Sequence, residues 1–224
     1  MKTSNFPAFK IENLSKTIED KLLFQNVNLT LSEGDICCLY GDNGAGKSVF
    51  IDCILGFQPI DEGEIYLNGI QIKDRSQLKR ESGIVSIDHQ SFLENLSPRE
   101  YFNLTMDVYG IKNEEDLENL NNLVERFGVN EYIDTTFNDL SFGSKKKVQF
   151  IGNVIYNPTL LVCDEIFEGL DEKGVDEVKK VFKERSEESR ITFYTTHISQ
   201  ESKGISNKEI YLKNKQILAN GDYK

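Results

Sequence analysis

At 224 residues the chain can bury one core with a subdomain attached and is too short for two independent domains. With 26 Lys+Arg against 37 Asp+Glu, a net charge of −11 and a sequence pI near 4.8, its surface repels nucleic-acid backbones, so nucleic acid is not expected as a partner. No apolar run approaches bilayer length, mean hydropathy is −0.43, and the stretch from Met1 to Asn5 lacks a signal peptide's apolar region, which predicts a cytoplasmic protein that meets a membrane only through a partner.

Residues 8 to 33 alternate short apolar and polar pieces, among them Phe9, Ile11, Leu14, Leu22-Leu23-Phe24, Val27 and Leu29, and read as short strands and turns. Asp35-Ile36-Cys37-Cys38-Leu39-Tyr40 is a buried strand by composition, and Ser48 to Leu55 is a buried helix stopped by Gly56. Between them Gly41-Asp42-Asn43-Gly44-Ala45-Gly46-Lys47-Ser48 matches G-x-x-x-x-G-K-[ST] at every fixed position, with Val49 next on the helix. Glycines that accept positive φ turn successive N–H groups inward, and the helix N-terminus adds partial positive charge. The natural guests are the anionic phosphate oxygens of a nucleotide, with Lys47 reaching the β- and γ-phosphates and the Ser48 hydroxyl helping to hold Mg²⁺. Cys37, Cys38, Cys53 and Cys163 lie in apolar runs without metal-ligand spacing and read as reduced core residues.

Further on, Asn68-Gly69 between Gly63–Leu67 and Ile70–Ile72 marks a hairpin, and Ile84–Ile87 reads as a strand followed by the irregular piece Asp88 to Ser91. From Ser97 the texture is helical. Ser97-Pro98-Arg99-Glu100 is a capping box opening a helix to about Gly110; a second runs from Asn113 to Gly128 with Leu117, Leu120, Val124 and Phe127 on one stripe; a third begins near Ser141 and ends at Asn157-Pro158. Leu160-Leu161-Val162-Cys163-Asp164-Glu165 is a buried parallel strand ending in two carboxylates, which belong at the ligand-binding ends of the sheet. Mg²⁺–triphosphate needs one carboxylate toward the metal and hydrolysis needs a second group acting on water, so Asp164 takes the metal role and Glu165 that of general base. After Glu168-Gly169-Leu170-Asp171 and an amphipathic helix, the strand Ile191–Tyr194 leads to Thr195-Thr196-His197, where the imidazole faces the crevice of Asp164 and reaches the γ-phosphate or the attacking water. Residues Glu209 to Leu218 read as a terminal hairpin.

In this order the motifs closely resemble the nucleotide-binding subunit of ATP-binding cassette (ABC) transporters over nearly the whole chain. The signature motif Leu-Ser-Gly-Gly-Gln corresponds to Leu140-Ser141-Phe142-Gly143-Ser144, the D-loop to Glu168–Asp171 and the switch histidine to His197. The resemblance implies an α/β fold, a P-loop NTPase (RecA-like) core with an antiparallel β subdomain and an inserted α-helical subdomain. Residues 1–224 would form a single ATPase domain, with 1–90 and 150–224 as the nucleotide-binding core and 91–149 as the helical subdomain. It also implies a head-to-tail pair of cassettes, a homodimer or heterodimer, in which Ser141 and Gly143 of one subunit contact ATP on the other. Departures are Phe142 and Ser144 in the signature, and Ile166 where a proline usually follows the acids. The adenine-stacking position falls on Ile18 by count, leaving another residue such as Phe9 for the base. The Q-loop residue that touches Mg²⁺ is Asp88 by spacing or Gln90 by type.

The function implied is an ATPase subunit, peripheral at the cytoplasmic face of the membrane, that drives an integral membrane transporter subunit. The short chain without an added C-terminal domain resembles export-type cassettes. A soluble cassette ATPase acting on a cytosolic partner complex is the alternative, to which the lysine run Lys145–Lys147 is open. A degenerate module that binds without turnover conflicts with the presence of Lys47, Asp164, Glu165 and His197.

Overall fold

Two sheets share the apolar residues of the chain. The computed structural model describes residues 7–78, 80–86, 91–197 and 204–219. β1 (Phe9–Ile18) and β2 (Lys21–Leu31) form one long antiparallel hairpin where the sequence suggested several short strands. The turn explains the difference: Glu19 and Asp20 both adopt positive φ (47° and 63°), the two-residue geometry that suits strand twist, with no glycine or Asn-Gly pair to announce it. Asn13 and Asn26 are also at positive φ near irregularities of the pairing, so the buried alternation slips along each strand. β4 (Glu62–Leu67) and β5 (Ile70–Ile72) complete an antiparallel sheet of order β2-β1-β4-β5, turning at Asn68-Gly69 as expected.

The larger sheet contains β3 (Ile36–Tyr40), β6 (Ser82–Val85), β7 (Leu160–Cys163), β8 (Ile191–Thr195), β9 (Lys208–Lys213) and β10 (Gln216–Ala219), in the order β10-β9-β3-β8-β7-β6. Every neighbouring pair is parallel except the terminal hairpin β9–β10. β6 begins two residues before the expected Ile84, and Ile87 lies outside the described residues. Because side chains alternate across a strand, Cys37, Leu39, Val162 and Phe193 join one core with the antiparallel sheet, while Ile36, Cys38, Cys163 and Tyr194 join the other.

The first core also takes Phe50, Ile51 and Ile54 of α1 (Lys47–Ile54). The second is covered by α2 (Pro98–Tyr109), α3 (Glu114–Arg126), α4 (Phe142–Val154) and α5 (Glu172–Glu187). Side chains cap four of these helices: Ser97 with Glu100 in a complete capping box, Asn113, Ser141 and Asp171. On α3 the buried stripe is Leu120, Leu123 and Phe127 just past its end, while Leu117, expected on it, is 42% exposed. α4 runs unbroken across the 149/150 division drawn from the sequence. Its Gln149 exchanges two hydrogen bonds with the Ser86 backbone at the end of β6 (3.1 and 3.0 Å), so the helical segment is fastened to the sheet from within.

Candidate functional site

β3, β8 and β7 lie side by side, so the segments leaving their carboxyl ends converge: Gly41–Ser48 after β3, Asp164-Glu165 after β7, and Thr196-His197 after β8. In the first, Gly44 and Gly46 take φ of 77° and 103°, the left-handed conformation that glycine adopts without a Cβ penalty. A Cβ on Gly44 would meet nothing within 4 Å, so the loop is open there to a guest. α1 has no side-chain cap and no acid in its first turn, which leaves its N-terminal N–H groups to an anion. Lys47 is 7% exposed; its ammonium donates to the Gly41 carbonyl at 2.9 Å and lies 3.5 Å from Glu165 Oε1. Val49 follows, half-buried against the apolar core. A cavity of about 400 Å³ opens beside the loop, lined by Gly41, Asp42, Asn43, His197 and Tyr211 among others.

The two acids meet different partners. Asp164, buried, accepts a hydrogen bond from the Ser48 hydroxyl at Oδ2 (2.8 Å) and from the Thr195 hydroxyl at Oδ1 (2.6 Å). A serine hydroxyl and a carboxylate in contact are the hard oxygen donors that Mg²⁺ takes, so the residues fit that ion. Glu165 sits at φ 47°, a left-handed conformation that costs a residue with a Cβ about 1–3 kcal/mol. Its N–H donates to the Thr195 hydroxyl at 2.8 Å. Its carboxylate oxygen Oε2 lies 2.9 Å from His197 Nδ1 and accepts the His197 N–H at 3.2 Å. His197 thus meets the Glu165 carboxylate directly, where the sequence pointed to phosphate or water.

Ser141 and Gly143 form a separate group at the start of α4. The Ser141 hydroxyl accepts the Ser144 N–H at 3.2 Å, and a Cβ on Gly143 would stand 2.3 Å from the Gly169 carbonyl oxygen, so this position has no room for a side chain. The Phe142 ring packs where a Cβ of Gly169 would point, also at 2.3 Å. Asp88 and Gln90 lie outside the described residues. Phe9 is completely buried in the hairpin core, so it is no platform for a base; Ile18 ends β1 half-buried, and Leu23 packs against Gly46.

Two participants went unassigned in the sequence. Thr195 is the hydroxyl between the acids, signalled in the sequence only as a threonine at the end of a buried strand. Lys146 is 1% exposed with its ammonium on the carbonyls of Glu165 and Glu168, and Lys147 pairs with Asp171 at 2.7 Å. Two of the three lysines read as a basic run therefore face the protein itself. Desolvation holds the Lys146 pKa below the ordinary lysine range, against the opposing pull of Glu168 and Glu165.

The fold has relatives among known proteins. The structure superposes on a solved ATP-binding subunit of an ABC transporter with a TM-score of 0.88 at 23% identity, over 95% of this chain and 89% of that one. An uncharacterized ABC transporter ATP-binding protein of Methanocaldococcus jannaschii is 27% identical over 92% of this chain and 74% of its own length. The Fe(3+) ions import ATP-binding protein of Fusobacterium nucleatum is 27% identical over 93% of this chain, which spans 56% of that longer relative. The family described as ABC transporter matches residues 24–168, from within β2 through the acids to Glu168, and the chain belongs to that family of ATP-binding proteins.

Proposed function

We propose that the chain hydrolyses ATP as one of two paired cassettes and drives a separate membrane-spanning partner from the cytoplasmic face. The observation that carries the hydrolytic reading is the Glu165 carboxylate, held by His197 on one oxygen and 3.5 Å from Lys47 on the other, beside the phosphate loop. A carboxylate fixed in this way can accept the proton of an attacking water, while Lys47 balances phosphate charge and His197 keeps the base aimed. Bound Mg²⁺ would be held by Ser48 and Asp164 and would neutralise charge on the outer phosphates. Ser141 and the Gly143 backbone, at a helix N-terminus, would meet the nucleotide of the second cassette, either another copy or a different chain.

Among the described residues no helix is long and apolar enough to cross a membrane. A docking face for the membrane partner is supported on the helical segment, where Phe92, Leu104 and Val108 are 64%, 47% and 60% exposed around a cavity of about 570 Å³ that Tyr101, Gln149 and Tyr156 also line. The export direction expected from the sequence finds no support among the relatives above, where the one named for a direction is an importer. The test is Glu165→Gln: turnover should vanish while ATP stays bound, giving a stable dimer on size exclusion in Mg-ATP. Turnover near the wild-type rate would remove Glu165 from the role of base.

A further inference from the structure

What the buried Lys146 ammonium holds is the turn that carries Glu165. It donates to the Glu165 and Glu168 carbonyls and lies 4.7 Å from the centroid of the Phe142 ring; among the described residues it makes no ion pair with a carboxylate. Methionine would fill the same space without desolvating a charge, so packing alone does not account for a cation here.

Glu165 is left-handed, and a residue with a Cβ stays so only when its surroundings over-determine it. The peptide groups on both sides of its Cα are pinned: the N–H by Thr195, the carbonyl by Lys146 together with the Glu168 N–H at 3.2 Å. The Lys146 arm comes from the first turns of α4, the helix capped by Ser141. Gly143 against Gly169, Phe142 over Gly169, and Lys147 paired with Asp171 lock the same two segments together.

We propose that Lys146 is a positioning residue for the catalytic carboxylate, fixing the backbone of Glu165 and tying its aim to the helix that carries the signature residues Ser141 and Gly143. The proposal rests on Glu165 acting as the base in ATP hydrolysis. Movement of α4 relative to β7 would reach Glu165 through this ammonium.

The experiment compares Lys146→Met, nearly isosteric and apolar, and Lys146→Gln, which keeps an N–H donor, with the wild type and with Glu165→Gln. Steady-state ATPase kinetics and equilibrium ATP binding are measured on each. Lys146→Met should lower kcat about tenfold or more while KM and Kd for ATP stay within about twofold, and Lys146→Gln should recover part of kcat. Wild-type kcat in Lys146→Met, or a loss of kcat matched by an equal loss of ATP affinity, overturns the proposal. Wild-type turnover by Glu165→Gln instead overturns the base assignment, so the two failures are distinct. Should Lys146→Met fail to fold, Lys146→Gln decides: lowered kcat at unchanged ATP affinity upholds the positioning role, and unchanged kcat ends it.

Discussion

Replacing Thr195 by valine isolates the hydroxyl that joins the two acids. Thr195 is completely buried, donates to Asp164 at 2.6 Å and accepts the Glu165 N–H at 2.8 Å. Valine keeps the volume and loses both bonds. An unsatisfied buried N–H costs about 1–3 kcal/mol and a hydrogen bond to a carboxylate about 1.5–3 kcal/mol; since one hydroxyl serves both, the terms do not fully add, and about 2–5 kcal/mol of stability should be lost. For a domain of this size that is a fall in Tm of about 5–15 °C. Thr195→Ser keeps both bonds and removes one methyl, about 1 kcal/mol or a few degrees. Thermal unfolding followed by circular dichroism separates the two, with ATPase rate as the second readout: Thr195→Val should lose turnover because the Glu165 turn is released on one side, and Thr195→Ser should keep most of it. Thr195→Val melting within about 2 °C of Thr195→Ser, against the difference expected from the hydrogen bonds, would refute the idea that this hydroxyl holds the acids.

Lys47→Ala should weaken ATP binding about tenfold to a hundredfold, the worth of a charge-assisted contact, and an unchanged Kd by fluorescence titration would contradict the phosphate-cradle reading. Gly143→Ala places a Cβ 2.3 Å from the Gly169 carbonyl oxygen, so α4 and the Glu165–Asp171 segment must part; ATPase activity should drop while ATP binding persists, and full activity would show that the close approach is dispensable. Ser141→Arg in the Glu165→Gln background should abolish the dimer formed in Mg-ATP on size exclusion, whereas a surviving dimer removes Ser141 from the interface. Burial raises the thiol of Cys53 to about 11 and that of Cys38 to about 12, and raises Cys37 and Cys163 too, so the thiolate fraction at neutral pH is below about one in a thousand. Ellman's reagent should find almost no reactive thiol in the native protein and four after unfolding, and fast native labelling would refute the buried placement.

Features whose chemistry is local were legible in the sequence. The phosphate loop declares itself because only glycine takes φ of 103° as Gly46 does, and the caps Ser97 and Asn113 declare theirs because a short oxygen-bearing side chain must stand before a free N–H. The first hairpin was hidden because Glu19-Asp20 adopts a glycine-type turn with residues that do not advertise it. Lys146 was hidden for a different reason. Lys145, Lys146 and Lys147 are identical in type, and which of them is buried depends on the phase of α4 against a loop some twenty residues away, which tertiary packing alone supplies. Phe9, named for the base, shows the converse: the pattern marks it as apolar, and only pairing with Leu31 and Leu67 shows that both of its sides are covered.

The left-handed Glu165 also answers a geometric problem set by the strand before it. Along a strand, successive side chains point to opposite faces, so two adjacent carboxylates continuing β7 would diverge. The site requires the reverse, because Asp164 meets Ser48 while Glu165 meets Lys47, two consecutive residues of α1 in the same crevice. At φ 47° the chain turns off the strand at Glu165 and both acids reach α1 together. Position 165 carries a carboxylate where such a turn favours glycine, and the conformational cost is met by fixing the peptide groups on either side, through Thr195 and Lys146. Asp164, Glu165, Thr195 and Lys146 then form one constraint with two anchors: loss of either anchor should disturb Glu165 more than Asp164, which retains Ser48 and the backbone bond from its N–H to the Val85 carbonyl at 2.8 Å.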